Sequence, residues 1–191
     1  MSRVLVGYAS RMGSTREIAQ TVGQQLQAAG FEVEVHSCEH APDARNFDAV
    51  VLGSAIYLRR WRSEALRYLR TQASDLAERP TWLFQSGPCG EGSEAESVPA
   101  PRAVRRLTSR VGLNPPTTFG GRLEAATAVG PLSRWMADGA LAGDFRDWDR
   151  IRRWTDDIIA NLTARDARHQ PSSTGGEPRV VSENEGGPEA S

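Results

Sequence analysis

Lysine is absent from this chain: all twenty-three basic residues are arginine. A phosphate loop of the G-x-x-x-x-G-K-[ST] kind needs a lysine on the terminal phosphates, so nucleoside triphosphate chemistry of that type is excluded. The dinucleotide pattern G-x-G-x-x-G is missing too, because Gly7 and Gly13 lie too far apart and no third glycine follows in register. Cysteine is scarce. Cys38 and Cys89 stand far apart and the chain starts on a strand rather than a signal peptide, so a reducing cytoplasm is the expected location. His36, His40 and His169 have no metal-binding spacing with one another or with the cysteines, and no metal is expected. A net charge of −1 without a clustered basic excess argues against a nucleic-acid surface. Neither a Ser/His/Asp or Cys/His set nor a pair of suitably spaced carboxylates is recognisable, which argues against hydrolysis.

What is present organises around residues 4–19 (VLVGYASRMGSTREIA). An apolar strand enters a hydroxyl-rich turn and leaves as a helix. Such a turn exposes unpaired N–H groups at the positive end of the helix dipole, where an anion is favoured. Ser10, Ser14 and Thr15 add hydroxyls, and Gly13 lets the main chain come close; a monophosphate fits this set. Ser14 and Glu17 also stand at capping-box spacing, so the same residues describe a capped helix with no ligand.

Downstream, Ile18, Ala19, Val22, Leu26 and Ala29 recur at helical spacing up to Gly30, predicting a helix over 14–29. Residues 31–35 (FEVEV) alternate with period two, as in a strand near a sheet edge. Residues 38–46 are polar and read as a loop or short helix, and 47–54 (FDAVVLGS) as a central strand covered on both faces. Ser63 is expected to cap a helix running to about Glu78. Residues 81–86 (TWLFQS) form another buried strand, a helix from about Pro101 to Val111 ends at Gly112, and 117–121 form the fifth strand. Asp147 starts a closing helix with Ile151, Trp154, Ile158 and Leu162 on its stripe.

This alternation predicts an α/β fold, a doubly wound five-stranded parallel sheet with helices on both faces and ligands at the carboxyl ends of the strands. One domain covers residues 1–163, with an insertion at about 122–146. From 164 to 191 the chain is rich in Gly, Pro, Ser and Glu, and is expected to be disordered and dispensable.

Two more connections belong to the same end of the sheet. Ala55, Ile56, Tyr57 and Trp61 place two aromatics where a soluble loop has no need of them. Ser86, Gly87, Pro88, Cys89 and Gly90 form the other, whose glycines let backbone N–H groups approach a planar ligand edge. Cys89 lacks a resolving partner nearby and reads as a small loop residue. Arg102, Arg105, Arg106 and Arg110 line one side of their helix, as either a solvated face or a docking site for an acidic partner or lipid.

The turn resembles the flavodoxin fingerprint, an aromatic-small-[ST]-x-T-G-x-T turn followed by a helix. Ser10, Gly13, Ser14 and Thr15 match it, while Met12 stands where a hydroxyl residue is usual and Arg11 or Arg16 adds charge beside it. With GSAIY before Trp61, the SGP loop, and FGGRL leading to an insertion before a D-W-x-x-I helix, residues 1 to about 163 are similar to the flavodoxin-domain family that contains menaquinone-dependent protoporphyrinogen IX dehydrogenase. That resemblance implies FMN, its phosphate on Ser10, Arg11, Met12, Gly13, Ser14 and Thr15. It puts the ring beside Ala55, Ile56, Tyr57 and Trp61, and the pyrimidine side at the loop from Ser86 to Gly90. Either Tyr57 or Trp61 stacks on the ring, or both cap the underlying helix. The flavin carries the chemistry, with no catalytic side chain.

The implied activity is an FMN oxidoreductase that accepts hydride from a porphyrinogen-like small molecule and passes electrons to a quinone, with a peripheral contact at the inner face of the membrane. A flavodoxin-type electron carrier is the alternative. It usually goes with strong net acidity, whereas here the stretch from Asp166 holds five acids against two arginines and leaves the rest slightly positive. A flavin reductase with another substrate, and a fold that binds partners without flavin, complete the alternatives. Leu132, Trp135, Met136 and Leu141 in the insertion read as an apolar wall beside the flavin, a membrane-surface segment or a cover over the sheet edge. The oligomeric state is not set by the sequence.

Overall fold

The computed structural model describes residues 1–87, 98–123 and 143–169. β1 (Arg3–Ala9), β2 (Glu32–Ser37), β3 (Ala49–Tyr57), β5 (Thr81–Ser86) and β6 (Thr117–Phe119) form a parallel sheet in the order β2-β1-β3-β5-β6. A short β4 (Arg60–Trp61) pairs antiparallel with the end of β3. The FEVEV strand is at the edge of this sheet and the VVLG strand at its centre, as their patterns require.

The central strands are apolar over most of their length because helices cover both faces, with Ser54, Gln85 and Ser86 as buried polar residues towards their carboxyl ends. Val4, Val6, Ala49, Val51 and Phe84 belong to a core shared with Ile18, Val22 and Leu26 of α1 (Ser14–Ala28) and Ile151 and Ile158 of α5 (Trp148–His169). The intervening Leu5, Val50, Leu52 and Leu83 belong to a second core with Ala65 and Leu69 of α2 (Ser63–Thr71), Leu76 of α3 (Ala73–Ala77) and Val104 of α4 (Arg102–Val111). Successive side chains of one strand thus enter opposite layers. Complete burial of each such Val or Leu is worth about 1.5–3 kcal/mol.

In the first core Phe84, Phe119 and Trp154 meet with ring centroids 5.4–6.1 Å apart. Gly53 makes room for them. A Cβ there would lie 2.0 Å from the Phe84 ring.

Three local features differ from the sequence expectations. The helix expected over 63–78 breaks at Gln72, whose side chain accepts from the Ala44 N–H at 3.0 Å and donates to Asp43 at 3.2 Å. Ser63 is a helical residue and makes no side-chain cap; the hydroxyl at the entry is that of Ser54, which accepts from the Arg62 N–H at 3.0 Å. The closing helix continues past residue 163 to His169, so residues 164–169 are helical. Asp166 in this last turn accepts from the Ser2 N–H at 3.2 Å and from the Ser2 hydroxyl, tying the helix to the start of β1. Asp147 does cap that helix, accepting from the Arg150 N–H at 2.9 Å. Residues 170–191, and Leu132, Trp135, Met136 and Leu141 of the insertion, lie outside the described residues. The stem of the insertion is described: β7 (Arg122–Leu123) pairs antiparallel with β8 (Gly143–Asp144).

Candidate functional site

From β1 the chain crosses first to β2 on one side and then to β3 on the other, so strand order reverses between β1 and β3. In open parallel sheets the crevice at that reversal, beyond the carboxyl ends, is where ligands bind. Residues 10–13 form the turn at this place. Gly13 holds φ 90°, a left-handed conformation that favours glycine, and its N–H donates to the Ser10 hydroxyl at 3.1 Å. No side chain caps α1. The capping box open to Ser14 and Glu17 does not form, because Glu17 accepts from Arg122 Nη2 at 2.7 Å and Arg146 Nη1 at 2.6 Å.

Ser14 is therefore left over. Its hydroxyl is buried and has no hydrogen-bond partner among the described residues, although it sits on the first residue of α1 among amides that also lack helical partners. Burying a polar group in this way costs about 1–3 kcal/mol, and an anionic oxygen at the helix N-terminus would satisfy it. Thr15, fully buried, shares a hydrogen bond of 2.6 Å with Ser86 at the end of β5, so the turn is fastened to the neighbouring loop. Arg11 is exposed and lays its guanidinium over the Tyr57 ring, 4.5 Å from the centroid; Met12 is half-buried beside it. This set of hydroxyls and amides suits a phosphate monoester.

The second connection is a hairpin. Ala55, Ile56 and Tyr57 are half-buried and still belong to β3, and Leu58 and Arg59 turn the chain into β4 with φ of 48° and 59°. Trp61 is not available for stacking. Its indole is 3% exposed in the second core and donates from Nε1 to Gln85 at 3.0 Å, while Gln85 donates to Thr118 Oγ1 at 2.8 Å. Tyr57 is the aromatic side chain that remains beside the turn.

Of the third connection, Ser86 is buried against Thr15, and Gly87 holds φ 98° while its N–H donates to Phe119 O at 3.0 Å. Pro88, Cys89 and Gly90 lie outside the described residues. Cys38 is buried, and desolvation followed by the charge of Glu64 pushes its thiol up to about 12, which makes it unreactive at neutral pH. Among the described residues, no three His, Cys, Asp or Glu side chains gather as metal ligands, and no helix is long and apolar enough to cross a membrane.

Glu17 has a role that sequence reasoning missed. Arg122 leads into the insertion and Arg146 leads out of it, and both converge on this one carboxylate in the first turn of α1. The Arg146 side chain is 4% exposed, stacks over Trp148 at 4.5 Å, and also pairs with Asp144 at 2.5 Å. Its hydrogen bond holds the Asp144 carboxyl below the usual carboxylate range. The one sequence signal was that arginines stand at both boundaries of the insertion.

The family profile described as flavodoxin domain matches residues 5–126. Protoporphyrinogen IX dehydrogenase [quinone] of Escherichia coli K12 is 29% identical over 85 residues, 43% of this chain and 46% of that protein; the match thus spans less than half the length of that relative. Oxidised flavodoxin 2 from Bacillus cereus shares the fold with a TM-score of 0.54 at 18% identity, covering 84% of this chain and 99% of that one. The flavodoxin of Fusobacterium nucleatum, solved bound to flavin mononucleotide, has a TM-score of 0.53 at 10% identity, covering 86% and 99%.

Proposed function

We propose, from the premise that this chain belongs to the flavodoxin domain family, that it binds FMN at the β1/β3 crevice and is an oxidoreductase of the protoporphyrinogen IX dehydrogenase (quinone) type. The observation that carries the cofactor is the buried Ser14 hydroxyl, which has no partner among the described residues and sits in a hydroxyl-rich turn at the reversal of strand order. When bound, FMN supplies two-electron chemistry that no side chain here can perform. The chain's own residues bind and orient it. Ser10, Ser14 and Thr15 offer donors to the phosphate, Gly13 lets the main chain come close, Arg11 adds positive charge, and Tyr57 presents a half-buried ring that limits water on one side.

Two features support an enzyme over a carrier. The Escherichia coli relative is named for oxidation of a porphyrinogen. The insertion, which a bare carrier does not need, has its stem fastened by two arginines to the first turn of α1. The proposed partners are accordingly a porphyrinogen-like substrate and a quinone, met at the inner face of a membrane. The test is anaerobic: purified protein is mixed with protoporphyrinogen IX and a menaquinone analogue, and the flavin absorbance is followed. Bleaching by the porphyrinogen and recovery on adding quinone is the expected result. Rapid reduction by a flavodoxin reductase with none by porphyrinogen would put the carrier in its place.

A further inference from the structure

A groove of about 440 Å³ opens beside the β3–β4 turn, between that turn, the start of α2 and the first two turns of α4. Its apolar lining includes Leu66, Pro101 and the edge of Trp61, and its rim carries Arg59, Arg60, Arg102 and Arg106. None of these four arginines has an ion pair or hydrogen bond among the described residues, and all four are exposed. The arrangement is unfavourable for an empty protein in three ways. Arg102 and Arg105 occupy the first turn of α4, where the helix dipole disfavours a cation and no acid is present. Arg102 and Arg106 are like charges at i, i+4, which repel. Arg59 is held by a turn in which two consecutive non-glycine residues take positive φ, a conformation that L side chains adopt only under strain. Stability alone does not account for such a set; an anion between the arginines would relieve the first two costs.

We propose that this groove seats the acid groups of the substrate: carboxylates of a large, otherwise apolar dicarboxylate pair with Arg59, Arg60, Arg102 and Arg106 while its ring system lies on Leu66 and Pro101. Guanidinium forks match carboxylates two bonds at a time, and the apolar lining excludes a fully polar ligand such as citrate. A membrane-surface helix would need apolar side chains facing out, whereas α4 turns Val104 and Leu107 inward to the core. The inference rests on the reading that flavin lies against Tyr57, because the strand and turn that carry Tyr57 also carry Arg59 and Arg60.

The probe is protoporphyrin IX, a stable dicarboxylate, compared with its dimethyl ester by fluorescence titration of the flavin-loaded protein. The free acid is expected to bind at least about tenfold more tightly than the ester, and the double variant R102Q/R106Q to lose that preference, with circular dichroism and flavin content unchanged. R110Q, outside the groove, should keep it. Equal binding of acid and ester, binding of neither, or a preference that survives R102Q/R106Q overturns the proposal. Sedimentation with phosphatidylglycerol vesicles that is lost in R102Q/R106Q, without porphyrin preference, would assign the arginines to lipid and overturn it as well. Failure here is separable from failure of the flavin reading: acid preference in a protein that takes up no FMN sinks the latter alone, and normal FMN content without acid preference sinks the former alone.

Discussion

Ser14 supplies the sharpest residue-level expectation, since its buried hydroxyl is a liability without a ligand and a donor with one. Ser14→Ala should leave the melting temperature of the flavin-free protein unchanged or raise it, yet weaken FMN about tenfold or more, a hydrogen bond to a charged group being worth about 1.5–3 kcal/mol. Calorimetry and thermal melts on the same samples check both halves. The two aromatics should now separate. Tyr57→Ala should restore flavin fluorescence with little loss of stability, whereas Trp61→Phe should cost about 1–3 kcal/mol by orphaning Gln85 and leave the fluorescence quenched. Sequence could not separate them, because the choice was made by a glutamine 24 residues away inside an apolar strand. The role of Glu17 was hidden for the same reason: its partners lie 105 and 129 residues along the chain.

Elements read well wherever both faces of a strand are buried, because apolar continuity then has one physical cause. The pairing of Gly53 with Phe84 follows from this close packing. Gly53→Ala should cost at least about 2 kcal/mol in denaturant unfolding, since the Phe84 ring cannot retreat from Phe119 and Trp154 without opening the core. The β3–β4 hairpin was not legible, as Leu58 and Arg59 carry none of the Asn-Gly or Asp-Gly chemistry that marks a two-residue turn. The stem of the insertion likewise depends on side-chain ion pairs rather than on pattern. Glu17→Gln should lower stability by about 1–2 kcal/mol, between surface and buried pair values, and speed proteolysis within 124–142. Mass spectrometry of the fragments reads the cut sites.

For the whole molecule, composition placed the end of the folded body near residue 163, because the last stripe residue of the closing helix is Leu162. The helix persists to His169 through a contact with Ser2 that no local pattern encodes. A chain cut after His169 should keep its melting temperature and flavin content, while one cut after Arg165 should melt lower, having lost the Asp166 link to β1. Differential scanning calorimetry of the two truncations distinguishes them.

The carboxylate of Glu17 holds the insertion stem from the same helical turn whose amides belong to the proposed phosphate site. The stem and the proposed cofactor site therefore share one helical turn. By thermodynamic reciprocity, whatever factor cofactor loading adds to the closing of the stem, a closed stem must add to cofactor affinity. The stem and the crevice are coupled through one carboxylate, so a substitution that frees Glu17 from its two arginines should register in cofactor affinity as well as in the stem.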